Sequence, residues 1–112
     1  MRIVLSSTGK TINDKIDLQF GRCPFFIIVE VEEKKIVKTD FLKNNFANQS
    51  GGVGIIIAQK IVELETSVLI TGNVGPRAMD ILKQFKIPIF RGEGMIKDEI
   101  NNFLKNKLKP IN

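Results

Sequence analysis

Apolar runs of strand length alternate with helix-like segments through the second half of the chain. Residues 67–71 and 87–90 are short apolar runs, and each is followed by a glycine-containing turn. The segment between them starts with Pro76, which suits a first helical position, and its apolar residues recur three and four positions apart. The same spacing over residues 96–104 predicts a last helix. Since strands joined through a helix run parallel with a right-handed crossover, we expect two parallel neighbours in one sheet.

The first half of the chain adds three strands and one helix to this pattern. Residues 2–6 form a short apolar run, and residues 25–31 and 35–42 are separated by a polar turn that predicts a hairpin. Residues 53–64 follow a glycine-rich loop and have helical apolar spacing. A chain of 112 residues has the size of one domain. We therefore expect residues 1–112 to form a single three-layer α/β/α sandwich, with helices on both faces of a mixed five-stranded sheet.

The chain contains no histidine and a single cysteine, and this composition excludes several kinds of active site. Hydrolases that depend on histidine, and zinc sites built from imidazoles, need residues that are absent. The carboxylates show no pattern that would pair two of them, so we do not expect an enzyme. One cysteine cannot form an intrachain disulfide, and no apolar run reaches the roughly 18 residues that span a bilayer. These features favour a cytoplasmic protein without a membrane partner.

The net charge of +5, from 17 basic and 12 acidic side chains, favours an anionic partner. A large share of the basic excess lies near the C-terminus, at Lys105, Lys107 and Lys109. All aromatic residues are phenylalanine, so the mixed polar stacking surfaces of nucleic-acid interfaces are missing. The composition therefore argues against nucleic acid as the partner.

Three loops leave the carboxyl ends of strands that are expected to be parallel: residues 7–9, 72–75 and 91–94. In open α/β sheets that edge is where ligands bind. Arg77 and Arg91 belong to the same region and indicate an anionic ligand. None of the turns matches a Walker loop or the full dinucleotide fingerprint. Glycine also serves turn geometry alone, so a structural role for each turn stays open.

Cys23 has two alternative roles. Arg22 beside it would favour the thiolate, and a loop before a strand can leave the sulfur partly exposed, which promotes metal ligation. The other role is that of a small buried hydrophobic residue, which free cysteine usually adopts. One thiolate cannot fill a tetrahedral metal site, so a metal role needs inorganic ligands, a second subunit, or a cluster that carries its own ligands.

Four motifs together resemble one protein family over nearly the whole chain. They are FGRCPFF at 20–26, NNFANQSGGVG at 44–54, TGNVGPRA at 71–78 and RGEGMIKDEINNFL at 91–104. With them the sequence resembles the dinitrogenase iron-molybdenum cofactor biosynthesis family. The resemblance implies a ribonuclease H-like fold with a mixed five-stranded sheet.

The resemblance also implies a function. It is that of a non-enzymatic carrier or accessory protein of nitrogenase cofactor assembly, which binds an iron-sulfur cluster or an iron-molybdenum cofactor precursor between donor and acceptor proteins. Cys23 would be the soft metal ligand, and Arg22, Arg77 and Arg91 would supply positive charge. The turn residues expected to line the pocket are Gly52, Gly54, Gly72, Asn73, Gly75, Gly92 and Gly94.

An alternative function uses the same edge without a metal, as a regulatory module that binds a small anion or a nucleotide. Two departures from the family bear on this choice, because many relatives have histidine where this chain has Gln19 and Gly51. The predicted hairpin also has an edge strand that could pair with a second copy, so we expect a monomer or a weak homodimer.

Overall fold

Six strands and three helices are present in the computed structural model, which describes residues 1–111. The elements in chain order are β1 (Arg2–Ser7), β2 (Phe25–Glu32), β3 (Lys35–Lys43), α1 (Val53–Glu63), β4 (Val68–Thr71), α2 (Pro76–Gln84), β5 (Ile89–Arg91), α3 (Ile96–Leu104) and β6 (Lys109–Pro110). The longest helix described within residues 1–111 has 11 residues, fewer than the roughly 18 to 20 apolar residues that a membrane span requires.

The strands form one mixed sheet in the order β3-β2-β1-β4-β5-β6. Strands β1, β4 and β5 are parallel neighbours, and the β2–β3 hairpin extends the sheet on the β1 side, as predicted. The sheet has six strands among the described residues, and the predicted five is one too few. The additional strand, Lys109–Pro110, pairs antiparallel with Phe90 and Arg91. Two residues that include a proline carry no strand pattern in the sequence.

Alternate side chains of the central strands pack against different helices. Val4 and Leu69 face α1 and α2, whereas Ile3, Leu5 and Ile70 face α3. This alternation is the two-residue period of a strand that is buried on both faces. The predicted three-layer α/β/α sandwich with helices on both faces is therefore confirmed.

The close packing at Gly72 gives a test of the fold. A Cβ at position 72 would lie 2.6 Å from the Cα and the carbonyl oxygen of Leu18, whereas one at Gly54 would make an ordinary 3.5 Å contact with the Cβ of Ala78. We expect Gly72→Ala to lower the free energy of unfolding by about 1–3 kcal/mol through overpacking. Gly54→Ala should leave it unchanged or raise it by about 0.5–1 kcal/mol, because alanine favours the helix.

Denaturant titration of both variants and the wild type measures the difference. Equal stability of Gly72→Ala and Gly54→Ala would contradict the packing of residue 72 against Leu18.

Candidate functional site

The segment before β2 lies across the end of the sheet and hydrogen-bonds to the turn between β4 and α2. The amide of Asn73 donates to the carbonyl of Leu18 at 2.7 Å, and the amide of Phe20 donates to the carbonyl of Asn73 at 3.3 Å. Gly72 makes this approach possible because it has no side chain. Gly72 and Asn73, which were predicted to line a pocket, are thus in contact with the chain's own backbone.

The first backbone amides of α3 also donate hydrogen bonds to carbonyls of the same chain. The amide of Ile96 donates to the carbonyl of Asp14 at 2.9 Å, and that of Lys97 donates to the carbonyl of Ile12 at 2.9 Å. The amide of Gly92 donates to the carbonyl of Thr71 at 3.0 Å. This turn therefore offers few free donors to a ligand.

Arg91 ends β5, and Gly94 lies in the turn that leads to α3. Arg91 is exposed at the end of β5, where it pairs with Lys109 of β6. The carbonyl of Gly94 accepts a hydrogen bond from the amide of Ile16 at 2.7 Å. The structure does not bring the 91–94 turn together with the glycines that precede α1.

The N-termini of α1 and α2 lie side by side on the other face of the sheet. Gly54 in α1 lies close to Ala78 in α2, because a Cβ added to Gly54 would be 3.5 Å from the Cβ of Ala78. Gly52 and Gly75 are the N-cap residues that precede the two helices, and neither provides a side-chain cap. The open depression between them, about 330 Å³, is the α1–α2 cleft, lined by Gly52, Gly54, Ile55, Gly75, Pro76, Arg77 and Ala78.

The α1–α2 cleft has a positive electrostatic character. The first amides of each helix have no partner within the helix, and both helix dipoles place partial positive charge there. Neither helix has an acidic residue in its first turn, and the exposed guanidinium of Arg77 lines the cleft. Four of the predicted binding residues therefore come together with a positive charge among them: Gly52, Gly54, Gly75 and Arg77.

Arg22 holds the loop that leads into α1. Its guanidinium Nη1 donates to the carbonyls of Ala47 at 3.1 Å and Gln49 at 2.8 Å. Arg22 is not among the residues that line the α1–α2 cleft. Its contacts stabilise the approach to Gly52, and its predicted contribution of charge to a ligand stays a prediction.

Cys23 is fully buried in the core beneath α1 and α2. Its thiol donates a long hydrogen bond, 3.4 Å from sulfur to oxygen, to the carbonyl of Phe20. Burial, and after it the charge of Asp17, raises the pKa of the Cys23 thiol from 9.0 to about 12. The expectation of a partly exposed sulfur with a favoured thiolate is wrong because the side chain packs inward, and the alternative of a small buried residue is confirmed.

A metal centre built from side chains is not found in residues 1–111. These residues contain no group of three or more histidine, cysteine, aspartate or glutamate side chains placed to hold a metal ion. The role of Cys23 as a metal ligand stays a prediction, and this conformation does not present its sulfur at the α1–α2 cleft.

Asn44 was missed in the sequence, although it is central to this region. Its side-chain amide donates to the carbonyls of Gly21 at 2.9 Å and Cys23 at 2.8 Å, and its Oδ1 accepts from the amide of Phe46 at 3.0 Å. An asparagine directly after a strand is typical of such a turn, but two of its partners, Gly21 and Cys23, are 23 and 21 residues away.

Comparison with known proteins identifies the family. The model of the dinitrogenase iron-molybdenum cofactor family matches residues 1–106. This chain belongs to that family. An uncharacterized protein of Methanocaldococcus jannaschii is 34% identical over 98 residues, which are 87% of this chain and 83% of that protein.

Solved structures of the same fold cover almost the whole chain. The apo form of the orange protein from Desulfovibrio gigas has a TM-score of 0.88 at 24% identity, over 99% of this chain and 96% of that one. A Thermotoga protein assigned to NifB has a TM-score of 0.82 at 26% identity, over 98% of this chain and 92% of that one. The resemblance found in the sequence motifs is confirmed, and it associates the chain with a family of cofactor accessory proteins.

Burial of the Cys23 thiol predicts a pH dependence of stability. Below pH 9 the thiol is protonated in the folded and the unfolded chain, so its burial does not make the free energy of unfolding depend on pH. Above the ordinary pKa of 9.0 the unfolded chain loses this proton while the folded chain keeps it up to about pH 12, which favours unfolding. The free energy of unfolding of the wild type should therefore fall relative to Cys23→Ala by about 1.4 kcal/mol per pH unit above pH 9.

Paired denaturant titrations from pH 8 to pH 11 measure this difference, and other titrating groups cancel in the comparison. A difference between the two proteins that does not change with pH would show that the sulfur is accessible to solvent.

Proposed function

We propose that this protein is a non-enzymatic carrier that binds a preformed, anionic iron-sulfur or iron-molybdenum type cluster as cargo in the α1–α2 cleft. The observation that carries the proposal is the adjacency of two helix N-termini without a side-chain cap on either, in a cleft that is also lined by Arg77 of α2. Helix N-termini bind anions through free amides and the helix dipole, and a guanidinium adds charge-assisted hydrogen bonds. Membership of a cofactor family supports a cluster as the anion.

The donor set of the protein fits a cluster that brings its own ligands. The chain has no histidine, and its one thiol is buried and protonated at neutral pH. Direct coordination of iron by the protein would need residues that the cleft does not have. Amides and a guanidinium can instead donate hydrogen bonds to the sulfur atoms of a complete cluster. Binding of this kind leaves the cluster intact and exchangeable, as transfer between donor and acceptor proteins requires.

The cleft itself is poorly equipped for catalysis. Among residues 1–111, no histidine, cysteine, lysine, tyrosine or carboxylate side chain lines the cleft. General acid–base catalysis needs a group whose pKa lies near the working pH. Ser6 and Ser7 end β1, where ribonuclease H-like enzymes place a metal-binding carboxylate. Both are buried, and the hydroxyl of Ser6 is hydrogen-bonded to that of Thr71 at 2.7 Å. These features favour a carrier over an enzyme.

A second candidate function is a regulatory module that binds a small oxyanion or a nucleotide phosphate in the same cleft. One observation favours it: the cleft contains amides and a guanidinium but no soft ligand, and this set also suits phosphate. The two candidates differ in the anion that binds most tightly, so one titration series separates them.

The carrier function is tested by anaerobic loading with iron and sulfide and with a synthetic thiolate-ligated iron-sulfur cluster. After gel filtration, visible absorption should remain with the wild type and with Cys23→Ala, because the thiol takes no part. Arg77→Gln should weaken retention about twofold to fivefold, the effect of one exposed charge. Lys83→Gln, which removes a cation from the last turn of the same helix, is the matched control and should bind like the wild type.

Two results would decide against this function. Loss of absorption in Cys23→Ala, with the fold intact by circular dichroism, would mean that the buried thiol opens and coordinates iron. Absence of cluster retention, together with thermal stabilisation by inorganic phosphate or ATP that Arg77→Gln removes, would favour the second candidate.

A further inference from the structure

A second cavity lies away from the α1–α2 cleft, between α1, the hairpin and the loop after β3. Its volume is about 170 Å³, and it shares no lining residue with the cleft. The inner wall is apolar and consists of Phe26, Leu42, Phe46, Ile57 and Ile61. An engineered cavity of about 150 Å³ with similar walls stays dry and binds benzene, so this cavity can accept one aromatic ring.

The mouth of this cavity carries positive charge. Lys43 at the end of β3 and Lys60 in the last turn of α1 both line it, together with the exposed polar side chain of Asn45. No acidic residue lines the cavity, and neither lysine forms an ion pair in the described part of the chain, residues 1–111. An anionic group at the mouth would therefore meet two uncompensated ammonium groups.

The wall formed by Phe46 is held in place before any ligand binds. Its amide donates to Oδ1 of Asn44, whose own side-chain amide is bonded to the carbonyls of Gly21 and Cys23. Arg22 fixes the next residue, Ala47, through its carbonyl. A preformed wall reduces the entropy that a ligand loses on binding, which favours a specific small ligand over nonspecific apolar contact.

We propose that this cavity binds a small amphipathic carboxylate, with one aromatic ring or short branched alkyl group between Phe46 and Ile57 and its carboxylate between Lys43 and Lys60. The apolar inner wall contacts the hydrophobic part of the ligand, and the two lysines pair with its carboxylate. This site is separate from the anion site of the α1–α2 cleft and does not depend on the carrier function.

The test compares three probes of nearly the same shape: phenylacetate, benzyl alcohol and benzylamine. Nuclear magnetic resonance titration of the full chain should show phenylacetate shifting the signals of Phe46 and Ile57. Benzyl alcohol should bind more weakly, and benzylamine more weakly still, because the lysines repel its ammonium group. The double variant Lys43→Gln with Lys60→Gln should weaken phenylacetate about threefold to tenfold and leave benzyl alcohol unchanged.

Two further variants locate the site. Leu42→Phe should reduce binding of phenylacetate and of benzyl alcohol because the larger ring fills the cavity. Arg77→Gln and Lys83→Gln should change neither. Since both lysines are exposed, the double lysine variant keeps the test valid even where Leu42→Phe fails to fold.

Three outcomes would overturn the proposal. One is binding of benzylamine as tight as that of phenylacetate, and another is absence of any shift at millimolar phenylacetate. The third is a set of Phe46 shifts that follow protein concentration and not the probe, which would identify a second copy of the chain as the occupant.

Discussion

The packing of residues 18–23 on the turn after β4 determines the arrangement of the rest of the functional region. Two backbone hydrogen bonds join this segment to Asn73, and Gly72 lies directly against Leu18. The segment then passes α1 so closely that a Cβ on Gly21 would lie 3.4 Å from the amide nitrogen of Gly54. Because α1 and α2 are both fixed to this one segment, their N-termini lie together and form a single positive cleft.

The residues of the FGRC motif, 20–23, have structural roles in packing and hydrogen bonding. Phe20 and Cys23 are buried in the core, Gly21 allows the close approach to α1, and Arg22 binds loop carbonyls through its guanidinium. Asn44 completes the arrangement by bonding the carbonyls of Gly21 and Cys23. A cysteine in a distinctive motif can thus be needed for packing alone, and its exposure decides whether it can act as a ligand.

Local patterns in the sequence were sufficient for the fold but only partly for the site. Apolar spacing predicted the parallel strands and the helices. A continuous apolar run indicates a strand that is buried on both faces of the sheet, and apolar residues three and four positions apart indicate a helix. Which turns converge depends on the face that each helix covers, and α3 lies opposite α1 and α2, which separates Gly92 from Gly54. The burial of Cys23 and the partners of Asn44 arise from contacts between distant segments, which no local pattern encodes. The strand Lys109–Pro110 was missed for the same reason.

Anion binding at the paired N-termini of α1 and α2 is the central property proposed for this protein. Amide nuclear magnetic resonance spectra recorded during titration with tetrathiomolybdate, a diamagnetic molybdenum-sulfur dianion, locate the bound anion directly. Shifts should be largest at the free amides that begin the two helices, Gly54 and Ala78 among them, and absent at Ile96, whose amide is already bonded to Asp14. Shifts centred on Cys23 or Ile96, or no shift at either helix start, would contradict anion binding at the N-termini of α1 and α2.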